Sequence, residues 1–266
     1  MNQVNYDYLK EQLKNTGFGE DLGEKLSEKM KGNTPEFQLN IKRTFGKDDV
    51  EATLHFKRGN DSDMYFFNRY DLQLMNKEGG EKAKQMFYIN KGGSITLKEG
   101  YNLLEGRAVH KTLTSRENEK YGTWLQLDFK NVAPSGNYEF KKLHDNYGYN
   151  LEATLSKYPI KELSEEKSKI DLIKSLERGN LQSIALKDGE KEEKIFIAAN
   201  PEYKTLSTFN TSGQRINLID FSQKNKREIS MVTDEKQSTK LKETKSKTVK
   251  QKDEKPAAKR TRKQKV

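Results

Sequence analysis

The hydrophobic positions change their spacing early in the chain, from the helical period of about 3.6 residues to the strand period of two. The helical spacing predicts two short helices, over residues 4–14 and 20–31. Apolar and polar residues then alternate over residues 37–45 and 50–57, with a turn at residues 46–49 between them. This alternation predicts an antiparallel hairpin that buries one face and exposes the other.

Two further strands are predicted over residues 64–75 and 83–90, so that residues 1–92 comprise N-terminal helices and a four-stranded antiparallel meander. Thr96 then precedes Glu99 by three residues, which is the spacing of a capping box and marks the start of a helix. Two strands follow that helix. Together they predict a helix-plus-β-hairpin unit over residues 93–137.

A shift of 72 residues places this unit on a later part of the chain. The superimposed pairs are cap, helix and strand residues: Thr96 with Ser168, Leu104 with Leu176, and Trp124 with Phe196. The sequence therefore predicts an internal repeat, with a second unit over residues 165–222 and a linker with helical patches over residues 138–164. The alternative is that a helix followed by a hairpin is a common arrangement, and that two copies align by chance.

The apolar pattern ends at about residue 223, where the composition also changes. Residues 224–266 contain 16 Lys and Arg against 6 Asp and Glu, a net charge of +10, and no aromatic residue. The whole chain has 50 Lys and Arg and 40 Asp and Glu, which leaves 34 of each sign and no net charge in residues 1–223. Because so few apolar groups cannot offset the entropy of ordering, residues 223–266 are predicted to be a disordered Lys-rich tail.

These patterns together predict an α+β fold. It comprises an antiparallel β-meander with N-terminal helices, two repeated helix-plus-β-hairpin units and a disordered basic C-terminal tail.

Four short runs resemble an uncharacterised bacterial domain family. They are residues 103–111 (LLEGRAVHK), 121–129 (YGTWLQLDF), 176–183 (LERGNLQS) and 195–201 (IFIAANP). The family occurs in conjugative and other mobile-element regions, and is also found appended to topoisomerase-like proteins. The resemblance covers roughly residues 5–220 and implies a genomic setting, but it carries no catalytic residue over to this chain.

Residue types that support catalysis or metal binding are sparse. The chain has no Cys, which excludes disulfides and thiolate sites, and its three histidines, His55, His110 and His144, lie far apart. The sequence shows no nucleophile elbow, phosphate-binding glycine loop or calcium loop. We therefore expect a cytoplasmic protein without cofactor, metal or membrane segment, and not an enzyme; the alternative is an enzyme whose site has no sequence signature.

Two features suggest binding. Alternation along the third strand puts Tyr65, Phe67 and Arg69 on one face, and together with Trp124 these residues predict an aromatic binding face for bases or a peptide. The alternative is that helices cover this face.

The second feature is the basic tail, where Lys259, Arg260, Arg262, Lys263 and Lys265 are predicted to contact DNA or RNA. The leading hypothesis is a non-enzymatic accessory protein of a mobile element, whose body docks onto a protein partner while its tail adds weak nucleic-acid binding. The alternative is a pure protein-interaction or inhibitory module whose tail only keeps it in solution.

Overall fold

A computed structural model of the chain describes residues 1–76, 79–90, 93–188 and 191–217. The helices in these ranges are α1 (Gln3–Asn15), α2 (Gly23–Lys31), α3 (Leu97–Leu104), α4 (Leu151–Leu155) and α5 (Glu166–Glu177), with short 3-10 turns at Asp145–Tyr147 and Lys161–Ser164. The strands are β1 (Glu36–Phe45), β2 (Asp48–Arg58), β3 (Tyr65–Met75), β4 (Glu81–Tyr88), β5 (Val109–Thr114), β6 (Lys120–Val132), β7 (Tyr138–His144), β8 (Gln182–Asp188), β9 (Lys191–Asn200) and β10 (Thr205–Phe209). The predicted tail, residues 223–266, lies outside the described residues.

The first four strands form an antiparallel meander in the order β1-β2-β3-β4, which confirms the predicted sheet and its N-terminal helices. One row of its inner face runs across all four strands through Leu39, Leu54, Tyr70 and Phe87, and each of these side chains is buried. Helices α1, α2 and α3 contact this face, because its apolar side chains must be shielded from water.

Strand β3 contains a β-bulge. Phe67 lies opposite Phe56 on β2, whereas Arg69 lies opposite His55, so Asn68 is an extra residue in β3. Successive side chains of a strand point to opposite faces. The extra residue therefore shifts the alternation by one: Phe67 and Tyr70, three residues apart, lie on the same buried face.

The second sheet has the order β5-β6-β7 and follows α3. The Thr96 side chain caps α3 and Glu99 completes the capping box, as the spacing predicts. Residues 138–144, which the sequence places in a linker, form instead the third strand, β7. They do so because Tyr138 and Phe140 pack against the main core, a long-range contact that a local pattern does not reveal.

The third sheet has the order β10-β9-β8 and follows α5. Each predicted helix-plus-hairpin unit is thus a helix followed by three strands rather than two. The cap predicted at Ser168 does not form, because α5 begins earlier and the Ser168 hydroxyl donates to the Glu165 carboxylate. Residues Met1–Ile216 belong to one compact unit.

A buried polar cluster joins the ends of α3 and α5. Asn102, which is fully buried, donates to the carbonyl of Arg178 at 2.7 Å and to Asn180 Oδ1 at 2.9 Å. The Arg107 guanidinium donates to the Gly179 carbonyl at 2.9 Å and to Asn102 Oδ1 at 2.8 Å. Because each buried polar group has a partner, the cluster fixes how the two helix ends meet.

Gly179 permits this close approach, and it supplies a stability test. It has φ +77°, and a Cβ there would lie 2.8 Å from the Ala108 carbonyl oxygen. Gly213 has a similar φ of +79° but open space around it. We expect Gly213→Ala to cost about 1 kcal/mol from backbone strain, and Gly179→Ala to cost about 3 kcal/mol because a steric clash is added. Urea unfolding of both variants measures the difference, and equal losses would contradict the close-packing argument.

Candidate functional site

The predicted aromatic face is not on the surface. Tyr65 and Phe67 are only 2% and 3% exposed, because α1 and α2 pack over this side of the sheet. Their rings lie against Phe37, Phe56 and Phe18 in the main core. The structure therefore corrects this expectation: these two aromatic rings hold the helices on the sheet and are not available to stack a base or a peptide.

Trp124 is also buried, at 4% exposure, in a second core on the other face of the β5-β6-β7 sheet. Its ring lies 5.1 Å from that of His110 and 5.4 Å from that of Tyr149. Burial raises the pKa of Tyr149, whose hydroxyl donates to the Thr205 carbonyl. Trp124 thus links the middle sheet to the segment near β10 and is unavailable for stacking.

Arg69 alone of the four predicted face residues reaches the open side of the meander. It belongs to a row that crosses all four strands, through Gln38, His55, Arg69 and Tyr88, which we name the outer row. Tyr88 is 61% exposed at one end of this row. All four residues line a groove of about 1050 Å³.

His55 is held from both sides in the outer row. Its Nε2 lies 2.7 Å from Asp71 Oδ2, and its Nδ1 lies 3.3 Å from Gln38 Nε2. The hydrogen-bond network assigns the proton to Nε2, which donates to the carboxylate, while Nδ1 accepts from the Gln38 amide. Both ring nitrogens of His55 therefore have a hydrogen-bond partner, which fixes the orientation of the ring.

A second depression, which we name the edge groove, has a volume of about 430 Å³ and lies between α1 and the neighbouring ends of β3 and β4. Its lining includes Tyr8, Gln12, Phe66, Asn68 and Ile89. Tyr8 is 57% and Phe66 46% exposed. Two large side chains are thus exposed to solvent around the same depression.

The side chain of Asn5 closes one end of the uncovered edge of β3. Its Nδ2 donates to the Tyr65 carbonyl at 2.9 Å, and its Oδ1 accepts from the Tyr65 amide at 2.7 Å. Asn5 is buried, at 1% exposure. One amide side chain therefore satisfies the two backbone groups that a neighbouring strand would otherwise pair.

A third cleft, of about 390 Å³, lies where β5 meets α5 and carries mixed charge. Lys111 is held by the buried Glu99 carboxylate at 2.8 Å, and His110 by Asp145 at 2.8 Å. The basic Lys174 and Arg178 share the cleft with the acidic Glu177. This balance of charge does not single out a ligand.

Metal and membrane features are not seen in the described ranges. Those residues contain no group of three or more His, Asp or Glu side chains placed to hold a metal ion. Within the same ranges, none of the helices has the length and hydrophobicity of a transmembrane segment. The predicted nucleic-acid contacts Lys259, Arg260, Arg262, Lys263 and Lys265 lie outside the described residues.

Comparison of the chain with protein-family models, curated proteins and solved structures found no match.

Sequence reasoning missed the exposed aromatics Tyr8, Phe66 and Tyr88. Uninterrupted alternation places Phe66 opposite Phe67 and Arg69, on the face that it shares with Tyr70. The available signal was the spacing of apolar residues, which widens from two to three between Phe67 and Tyr70. Such a step within a strand is the mark of a bulge.

Asn5 supplies a test of how the edge of β3 is closed. We expect Asn5→Ala to lower the free energy of unfolding by about 2–3 kcal/mol, because it leaves the buried amide and carbonyl of Tyr65 without partners. Gln3→Ala, at an exposed position of the same helix, is the matched control and should cost well under 1 kcal/mol. Denaturant unfolding measures both values. A small loss for Asn5→Ala would mean that water replaces the side-chain amide.

Proposed function

We propose that the protein is a non-enzymatic accessory protein of a bacterial mobile element, located in the cytoplasm, whose ordered body docks onto a protein partner. The observation that carries this proposal is the exposure of Tyr8, Phe66 and Tyr88 around the neighbouring ends of β3 and β4. Aromatic side chains are enriched at the centres of protein interfaces, since they bury a large area at a low entropic cost.

The charges around these aromatics favour a protein partner over a nucleic acid. On the open face of the meander, Lys42 pairs with Glu51, and the Asp71 carboxylate accepts a hydrogen bond from His55. Arg69 contacts the Met86 sulfur and has no acidic partner in the described part of the chain. A surface of balanced charge with a few cations does not provide the basic track that a nucleic-acid backbone requires.

The basic tail is the part of the chain proposed to bind nucleic acid. Its 16 cations would neutralise phosphates and release counterions, which gives weak binding that is indifferent to sequence and sensitive to salt. The alternative is a pure interaction module whose tail serves only solubility, and the absence of net charge in residues 1–223 is compatible with it.

We also propose that the two helix-plus-sheet units arose by duplication. Val109 pairs with Leu125, and Gln182 pairs with Ile197. Gln182 lies 73 residues after Val109, and Ile197 lies 72 after Leu125. Gly179, which follows α5, also lies 73 residues after its counterpart Gly106, which follows α3. The second unit therefore has one more residue before this glycine than the first unit has. It has one residue fewer between Gln182 and Ile197 than the first unit has between Val109 and Leu125, so the offset returns to 72 in β9.

Deletion of residues 224–266 tests the role of the tail. We expect the full chain to bind a fluorescent DNA oligonucleotide at low salt and the deleted chain to lose that binding. If about six phosphates are contacted, raising the salt from about 50 to 200 mM should weaken binding on the order of a thousandfold. Fluorescence anisotropy measures both effects. Binding retained after deletion would move the nucleic-acid site into the body, and no binding by the full chain would remove the role.

Affinity purification from the native host, with nuclease treatment, tests the docking role of the body. We expect a partner that survives nuclease and deletion of residues 224–266, and that falls about tenfold in yield with Tyr88→Ser because an aromatic anchor is lost. The matched control is Tyr203→Ser, which removes a tyrosine that is 73% exposed in the turn between β9 and β10. Equal yields for the two variants, or no partner beyond the nuclease-sensitive ones, would contradict the proposal.

A further inference from the structure

We infer that the edge groove is a peptide-binding site, and that its ligand is an extended protein segment with an apolar or aromatic side chain next to a basic one. This inference rests on the proposed docking function and assigns that function a site and a ligand chemistry. It is carried by the uncovered edge of β3, the side chains lining the groove and the charge of that lining.

The edge of β3 has a gap beside the groove. β4 pairs with β3 only as far as Tyr88, which lies opposite Arg69, and the next contact is the Ile89 amide donating to the Asn68 carbonyl. Between Asn68 and Tyr65, no other strand in the described ranges flanks this side of β3. At Tyr65, the Asn5 side chain bonds both backbone groups. The gap continues the line of β4, so a short extended segment placed there would add to the sheet edge.

A residue of the groove wall carries an unsatisfied acceptor beneath the surface. Gln12 lies on the α1 side of the groove, and its Oε1, which is buried and not itself exposed to the groove, has no hydrogen-bond donor among the described residues. A buried carbonyl without a donor is destabilising, which is why such atoms are rare in folded proteins. A small shift of this side chain would let it accept from a backbone N–H of a bound peptide.

The exposed aromatics supply the hydrophobic part of the site. Tyr8 projects from α1 and Phe66 from β3, and both line the groove. In strand addition, main-chain hydrogen bonds give affinity while pockets for alternate side chains give specificity. Tyr8 and Phe66 provide such a pocket for one apolar or aromatic side chain.

The charge of the groove decides between a peptide and a polyanion. Glu11 is the one charged side chain among the described residues that line it. A carboxylate repels phosphate and attracts Lys or Arg. The groove is therefore matched to a peptide with a basic residue next to its apolar one.

A random peptide library displayed on phage, selected on the full-length protein, tests the inference. We expect enrichment of extended sequences that carry an apolar or aromatic residue beside Lys or Arg. Enriched peptides are then synthesised, and their Kd is measured by fluorescence polarisation. A copy methylated at the central backbone nitrogen should bind about tenfold more weakly, since main-chain hydrogen bonds are lost.

Three variants locate the binding. Phe66→Ser should weaken binding about tenfold. Gln12→Met should weaken it roughly threefold to tenfold, while the thermal unfolding midpoint stays the same or rises because an unsatisfied acceptor is removed. Tyr203→Ser should change neither value. The thermal midpoint of Phe66→Ser confirms that this variant folds.

Four outcomes would overturn the inference: no enrichment, enrichment of acidic sequences, equal affinity for the methylated peptide, or equal affinity for Phe66→Ser. These outcomes are distinguishable from failure of the docking role. If the partner from the host is lost with Tyr88→Ser but retained with Phe66→Ser, docking stands and the edge groove is not its site. If peptides bind the groove but no partner is recovered, the ligand preference stands and the proposed function fails.

Discussion

The β-bulge at Asn68 is the constraint on which the interior and the surface of the meander both depend. One extra residue puts Phe67 on the same face as Tyr70 and leaves Phe66 exposed. The strand thereby supplies a continuous row of core rings under the N-terminal helices and, on its other face, the outer row through Arg69. Bulges re-aim side chains in this way at the margins of binding surfaces.

The two helix-plus-sheet units combine buried apolar side chains, such as Leu176, Ile195 and Ile197, with buried polar joints. Asn102 and Arg107 bind the chain at Gly179, and Trp124 fills the space between the middle sheet and the segment that leads to β10. Such joints are costly if any partner is missing, so they specify one arrangement of the sheets. Trp124, one of the four residues of the predicted binding face, serves this internal purpose.

We propose recognition, not catalysis, as the role of the surface around β3. Gln38 and Asp71 hold the ring of His55 from its two nitrogens. Tyr8 and Phe66 are exposed beside an uncovered length of β3, and the buried Oε1 of Gln12, a residue of the same groove, has no donor among the described residues. In the proposed docking role, affinity would come from burying these rings and completing hydrogen bonds with a partner of matching shape.

The sequence by itself determined the helices before the sheet, the alternation of β1 and β2, the capping box at Thr96 and the concentration of charge in residues 224–266, since each depends on neighbours along the chain. Only the tertiary structure decided that residues 138–144 pair as a third strand and that Phe66, not Phe67, faces outwards. These two outcomes depend on pairing between distant segments. A local pattern records which residues are apolar, but the face that is covered depends on what packs against it.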